Sequence, residues 1–275
     1  MSSKEQSTGN VFNWKSSTLF YHKWGKGTKL MVAFHGYGQD GLAFKAITSE
    51  IEDHYTIVAI DLPYQGKTRW REPQALSGTE LKELIQAFLA HFGHREKVSI
   101  MAYSIGGNYA LGLAWQYPEL IEELILIAAD GLKFKPYFWF LTRTRLGRWL
   151  FGGFVNGPHL VFFFLWVMKV LHLYPKRVVS FFRNSISTRN QRAALMMRWI
   201  SVSRILPKLD LVTEAINKHQ IPVRLLFGRR DKVIPYTNAL AFSKRIKDVK
   251  IEIPDQGHQL LKSQNADVLR GLLGD

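Results

Sequence analysis

A strand-like run that stops at a serine between small residues is the feature that most restricts how this chain can fold. Residues 98–103 are largely apolar and β-prone, Ser104 follows, and Ala102 and Gly106 stand two positions before and after it. This pattern predicts a strand that turns sharply into a helix, with the serine held at the turn in a strained backbone conformation. Only small residues at those two positions let the strand and the helix approach without a clash. Ser104 is therefore a candidate nucleophile.

A serine is a weak nucleophile at neutral pH, so it needs a base, an orienting acid and donors for an oxyanion. The apolar residues 30–34 predict a buried strand that runs into the glycine-rich loop His35-Gly36-Tyr37-Gly38. Backbone N–H groups in such a loop can point into a site. We predict the amides of Tyr37 and Ile105 as the oxyanion donors, with His35 and Gly36 as supporting residues of the loop.

Two later predicted strands end close to an acid and a base. Residues 223–227 precede Asp231, and the alternating residues 249–254 precede His258. Because no other histidine follows Asp231, His258 is the predicted base and Asp231 the predicted acid. Asp130, which ends the apolar run 124–129, remains an alternative acid.

The chain order Ser104, Asp231, His258, each after the end of a predicted strand, resembles the α/β-hydrolase fold superfamily, in particular serine esterases and lipases with a cap insertion. The resemblance covers the chain from about Phe20 to its end, apart from the segment between Gly131 and Lys208. It implies an α/β fold: a mostly parallel central sheet flanked by helices, with a helical cap inserted after the sixth strand.

One segment departs from the pattern of this family. Its esterases and lipases carry Asp-x-Pro-Gly-x-Gly-x-Ser after the next strand, and here the segment that begins at Asp61 has Tyr64 in place of the first glycine. The difference falls in a supporting turn and leaves the three candidate residues unchanged.

The predicted domains are a flexible tail at 1–15, a core at 16–131 and 209–275, and a cap at 132–208. The segment between Gly131 and Lys208 carries 14 of the 37 Lys and Arg residues and no Asp or Glu, whereas the rest of the chain has 23 basic and 22 acidic residues. Almost the whole net charge of +15 therefore belongs to the cap.

The predicted cap is also apolar. Its run at 160–168 is about half of the roughly 20 residues that span a bilayer, which favours a buried cap helix or a membrane-surface helix over a membrane-spanning one. The resemblance implies a lid over the serine, and an apolar lid suits a hydrophobic substrate. Its charges either solvate the outer face or contact an anionic membrane surface. A nucleic-acid partner is not predicted, since nothing in the chain resembles a base-reading module.

No cofactor and no metal are predicted. Gly66-Lys67-Thr68 lacks the earlier glycine of a phosphate-binding loop, since Asp61 stands there, and the histidines lack paired metal-ligand spacing. The polar N-terminus has no apolar run typical of a secretory signal, and the chain has no cysteine. These features fit a cytoplasmic protein, or one peripheral at the inner face of a membrane. The oligomeric state stays open.

The resemblance implies a serine hydrolase that cleaves carboxylic esters of hydrophobic, lipid-like substrates. Three alternatives stay open: an acyltransferase, a hydrolase of carbon–carbon bonds on the same three residues, and a lipid- or membrane-binding protein that keeps the fold without turnover.

Overall fold

The chain forms two compact units in a computed structural model, which describes residues 9–94, 96–170, 180, 183–206 and 208–274. One unit consists of Met1–Phe134 with Ile205–Asp275, and the other consists of Lys135–Arg204. The first unit contains the sheet and every candidate site residue.

An eight-stranded, mostly parallel sheet forms the centre of the first unit. The strands are β1 (Asn10–Trp14), β2 (Ser17–Trp24), β3 (Lys29–Phe34), β4 (Tyr55–Ile60), β5 (Val98–Tyr103), β6 (Ile121–Ile127), β7 (Val223–Leu226) and β8 (Val249–Glu252). Their order is β1-β2-β4-β3-β5-β6-β7-β8; β2 pairs antiparallel with β1 and β4, and the other pairs are parallel. The predicted α/β-hydrolase fold class is confirmed.

Nine described helices follow in chain order, besides short 3-10 turns. They are α1 (Gly78–His91), α2 (Gly106–Gln116), α3 (Pro136–Arg143), α4 (Arg145–Asn156), α5 (His159–Val170), α6 (Arg189–Ile205), α7 (Leu209–Lys218), α8 (Tyr236–Ser243) and α9 (Ala266–Leu273). Helix α1 begins with a capping box, in which Ser77 and Glu80 each accept a hydrogen bond from the other's backbone N–H.

The central strands are buried on both faces, as their unbroken apolar sequences require. One face of β3 to β6 packs Met31, Ala33, Met101 and Ile125 into a core that also includes Leu269 of α9. Strands β3 and β5 are neighbours although β4 lies between them in sequence, so the chain order reverses at this point of the sheet. Ligands of open α/β sheets bind beyond the carboxyl ends of the strands at such a switch point.

The predicted flexible tail at 1–15 is wrong for residues 10–14. These residues form β1, which pairs antiparallel with β2 from Asn10 opposite Tyr21 to Trp14 opposite Ser17. The strand lies at the edge of the sheet and Val11 is 56% exposed, so it has no buried apolar run that would reveal it in the sequence. Residues 1–8 lie outside the described residues.

The second unit is helical and lies between β6 and β7 in the chain. The apolar run 160–168 falls within α5, a helix of 12 residues. None of the helices in the described part of the chain has the length and apolarity that crossing a bilayer requires. The nine residues after Val170 are outside the described ranges.

Candidate active site

Ser104 lies at the turn between β5 and α2 with a φ of 52°, in the left-handed region that only glycine adopts without cost. Hydrogen bonds fix this backbone: the N–H of Ser104 donates to the carbonyl of Ile127 (3.2 Å), and its carbonyl accepts from the N–H of Asp130 (2.7 Å). Strain of this kind costs on the order of 1–3 kcal/mol and persists because the surrounding structure holds it.

The small residues beside Ser104 have the steric reason that the sequence suggested. Ala102 is fully buried in β5. A Cβ built at Gly106 would overlap the carbonyl oxygen of Phe34, at the end of the neighbouring strand β3. A Cβ at Gly107 would press on the backbone of Asp130. Helix α2 can therefore start directly above the sheet only with glycine at these positions.

The structure brings Ser104, His258 and Asp231 together in one hydrogen-bonded chain. His258 Nε2 lies 3.1 Å from Ser104 Oγ, and His258 Nδ1 lies 2.7 Å from Asp231 Oδ2. The other carboxylate oxygen, Asp231 Oδ1, accepts from the N–H groups of Val233 (2.7 Å) and Ile234 (2.9 Å). With Nδ1–H donating to the fully buried carboxylate, Nε2 is left as the acceptor that faces the serine hydroxyl.

Asp130, the alternative acid, is not the partner of His258 in this arrangement. Its Oδ1 accepts from the N–H of Gly131 (2.9 Å), and its own backbone N–H holds the Ser104 carbonyl. The imidazole Nδ1 is paired with Asp231 instead. Asp130 is thus close to the serine through its backbone, whereas Asp231 contacts the histidine.

The loop after β3 is braced by side chains. Buried His35 donates from Nδ1 to the Gly36 carbonyl (2.7 Å) and accepts at Nε2 from the N–H of Leu62 (3.0 Å), which joins the loops after β3 and β4. Gln65 Oε1 accepts from the N–H of Gly38 (3.0 Å).

The predicted oxyanion donors lie on two adjacent elements. Phe34 of β3 pairs with Ala102 of β5, so the loop that carries Tyr37 emerges next to the turn that carries Ser104 and Ile105. Ile105 has helical backbone angles and occupies the position just before α2. Amides at the start of a helix carry partial positive charge, which suits a developing oxyanion.

Tyr103, the last residue of β5, has no role that the sequence pattern predicts. The Tyr103 hydroxyl donates to the backbone carbonyl of His258 (3.1 Å), and the centres of the two rings lie 5.3 Å apart. Burial, and then the negative charge of Asp231, raise the pKa of Tyr103, so it remains a hydrogen-bond donor. The residue before the serine therefore positions the histidine.

The loops that carry Asp231 and His258 are joined by backbone contacts beyond the ends of β7 and β8. The N–H of Arg229 donates to Pro254 (2.9 Å) and the N–H of Arg230 donates to Gln256 (2.8 Å). A Cβ at Gly228 would overlap the carbonyl of Gln256. The Gln256 side chain pairs with Asn265 through two hydrogen bonds. These contacts join loops that are separate in the sequence, so a periodic sequence pattern cannot predict them.

Comparison with known proteins agrees with this fold. A family model described as the alpha/beta hydrolase fold matches residues 29–263, so the chain belongs to that family. An uncharacterized hydrolase, YugF of Bacillus subtilis, is 23% identical over 238 residues, which cover 80% of this chain and 79% of YugF.

Solved structures show the same fold. An α/β hydrolase from a Medee basin deep-sea metagenome library has a TM-score of 0.72 at 16% identity, covering 97% of this chain and 98% of that one. A thermophilic esterase from Thermogutta terrifontis has a TM-score of 0.68 at 20% identity, covering 94% of this chain and 92% of the esterase.

Proposed function

We propose that this protein is a serine hydrolase that cleaves carboxylic esters of hydrophobic, lipid-like substrates through an acyl-enzyme. The observation that carries the proposal is the chain of hydrogen bonds from Ser104 Oγ to His258 Nε2 (3.1 Å) and from His258 Nδ1 to Asp231 Oδ2 (2.7 Å). The first distance allows direct proton transfer from the serine to the histidine, and the second allows the carboxylate to orient the imidazole ring. The order of the groups is that of a nucleophile, a base and an orienting acid.

The proposed reaction begins when His258 Nε2 takes the hydroxyl proton of Ser104 as Oγ attacks the ester carbonyl carbon. Asp231 keeps the imidazole in the tautomer that can accept this proton and stabilises the imidazolium that forms. The N–H groups of Tyr37 and Ile105 donate to the oxyanion. The intermediate then collapses: the carbon–oxygen bond to the alcohol breaks, and His258 returns the proton to the leaving alcohol.

Water completes the cycle by the same steps. His258 takes a proton from a water molecule, whose oxygen attacks the acyl carbon, and the carboxylic acid leaves as Ser104 regains its proton. The high apolar content of residues 132–208 supports a hydrophobic substrate, because the family resemblance implies that this segment is a lid.

Intact mass after treatment with a fluorophosphonate probe tests the proposal. We expect one adduct on the native chain, no adduct on Ser104→Ala, and retention of the adduct on the control Ser263→Ala, which changes an exposed serine. Hydrolysis of p-nitrophenyl esters should fall by roughly 10⁴-fold or more in Ser104→Ala. An adduct that survives Ser104→Ala, or a native chain without one, would refute Ser104 as the nucleophile.

A substrate series then separates the ester hydrolase from the alternatives. We expect kcat/KM to rise with acyl chain length, with free acid as the main product. Transfer of the acyl group to an added alcohol or amine in preference to water would indicate an acyltransferase. Cleavage of a chromogenic ring-fission diketone without ester hydrolysis would indicate carbon–carbon hydrolysis.

A further inference from the structure

The second unit carries many positive side chains, and only some of them take part in its internal packing. Lys135–Arg204 contains 12 Lys and Arg residues and no acidic residue. Two of the arginines serve the interior: Arg192 and Arg198 are each 6% exposed, and Arg192 donates to the carbonyls of Val155 and Ile186 (both 2.9 Å). Arg145 and Arg148 on α4 are exposed instead.

Helix α4 is apolar on two opposite sides. Gly147, Phe151 and Val155 form its buried side, and the Phe151 ring packs against that of Trp199 with 5.4 Å between centres. At 100° per residue, the opposite side carries apolar residues that this packing does not use. Their exposed fractions are 57% for Leu146, 72% for Trp149 and 45% for Leu150.

Helix α3, which directly precedes α4 and contacts it, carries a further exposed tryptophan. Trp139 is 50% exposed, on a helix of which Thr142 is the buried residue. Large apolar side chains at this exposure are costly in water unless something covers them. We call Trp139, Arg145, Leu146, Arg148, Trp149 and Leu150 the α3–α4 surface.

We propose that the α3–α4 surface docks on an anionic lipid bilayer. Arginines gain energy from anionic headgroups, and tryptophan and leucine enter the interface beside them. Both halves of the surface are needed for this occupant. A nucleic acid would contact the arginines and leave the leucines exposed to water. A neutral apolar partner would cover the leucines and leave the positive charge of the arginines uncompensated. The proposal does not depend on Ser104, so it stands or falls separately from the proposed hydrolase.

Co-sedimentation of the full chain with vesicles tests the docking. We expect binding to vesicles of phosphatidylcholine mixed with phosphatidylglycerol, much weaker binding to phosphatidylcholine alone, and loss of the difference at high salt. Arg145→Gln with Arg148→Gln should lower the partition coefficient roughly 30-fold, because each cation near an anionic surface contributes about fivefold. The double variant to lysine keeps the charge and should keep the binding.

Matched controls locate the effect. Lys244 and Lys247 are exposed on the first unit, and their double substitution to Gln removes the same charge elsewhere. Leu146→Ser with Trp149→Ser should abolish most binding. Its control, Leu211→Ser with Leu240→Ser, changes residues that are 41% and 36% exposed on the first unit. Both control variants should bind like the native chain.

Several outcomes of the vesicle experiments would overturn the proposal. They are no sedimentation with any vesicle, equal binding to both lipid compositions at low salt, equal losses in control and test variants, and loss of binding in the lysine double variant. Retention on duplex DNA that depends on Arg145 and Arg148, without vesicle binding, would also overturn it and assign the charge to a nucleic acid.

Discussion

Two aspartates lie near Ser104, and their environments separate their roles. Asp231 offers one oxygen to His258 and the other to two backbone N–H groups, whereas Asp130 turns its Oδ1 to Gly131. We predict that Asp231→Asn lowers kcat by about 10⁴-fold, since an amide stabilises the wrong imidazole tautomer. Asp130→Asn should change kcat by less than about tenfold, because it leaves the imidazole partner in place. Steady-state ester hydrolysis measures both, and a larger loss in Asp130→Asn would exchange the two assignments.

Tyr103 links the serine turn to the histidine loop through a single hydroxyl. Tyr103→Phe removes the hydrogen bond to the His258 carbonyl, which should lower the free energy of unfolding by about 1 kcal/mol at neutral pH. We expect a decrease in kcat of a few-fold with little change in KM, because the variant displaces the base and not the bound substrate. A larger change in KM than in kcat would contradict this positioning role.

The pH dependence of this variant has a definite sign. Burial and the charge of Asp231 raise the pKa of Tyr103 above its usual value of 10.0, so the native protein keeps a proton that the unfolded chain releases. Above about pH 10 the unfolded state binds fewer protons, and the free energy of unfolding falls as pH rises. Tyr103→Phe has no hydroxyl to titrate, so its free energy of unfolding does not fall for this reason. The difference in free energy of unfolding between the native chain and Tyr103→Phe should therefore shrink above pH 10. Denaturant unfolding at several pH values measures it, with the exposed Tyr137→Phe as the control.

At the scale of elements, the site depends on how closely α2 approaches β3. Gly106→Ala would place a methyl group against the Phe34 carbonyl, and a backbone atom cannot give way cheaply. We predict a loss of about 3 kcal/mol in the free energy of unfolding and a fall in activity. Gly271→Ala in α9 is the matched control: its Cβ meets nothing within 4 Å, so it should stabilise by about 0.5–1 kcal/mol. Thermal or urea unfolding compares them, and equal effects would remove the steric argument.

The sequence predicted the elements whose signal is local. Strands β3 to β8 are apolar or alternating runs, so their positions, and the candidate residues at their ends, could be read directly. Edge strand β1 could not be predicted, because most of its side chains are exposed and its sequence therefore contains no apolar run. The contacts that align the site were also missed, such as Tyr103 with His258 and Gln256 with Asn265, since they join loops that are distant in sequence. Tyr64 illustrates a further limit: it has a φ of 65° where the family pattern carries glycine, and only coordinates reveal that strain.

At the scale of the whole molecule, charge divides the chain along the same boundary as its compact units. Lys135–Arg204 holds 12 basic residues and no acidic one, and the rest of the chain has 25 basic and 22 acidic residues. The sheet-bearing unit can pair its charges internally, as Lys45 does with Glu52 (3.1 Å). The helical unit has no carboxylate side chain of its own, so its cations cannot form ion pairs within the unit and repel one another.

Salt should therefore stabilise the two units unequally. Raising ionic strength from about 0.01 M to about 1 M shortens the screening length from roughly 30 Å to roughly 3 Å, which weakens repulsion between exposed cations. We predict that amide hydrogen exchange in α4 and α6 slows severalfold with added sodium chloride, while exchange in α1 and α2 changes little. Mass spectrometry of peptides from each helix measures this in the intact chain. Equal slowing in both units would mean that salt acts on the whole fold, and no slowing in α4 would mean that the helical unit tolerates its charge without strain.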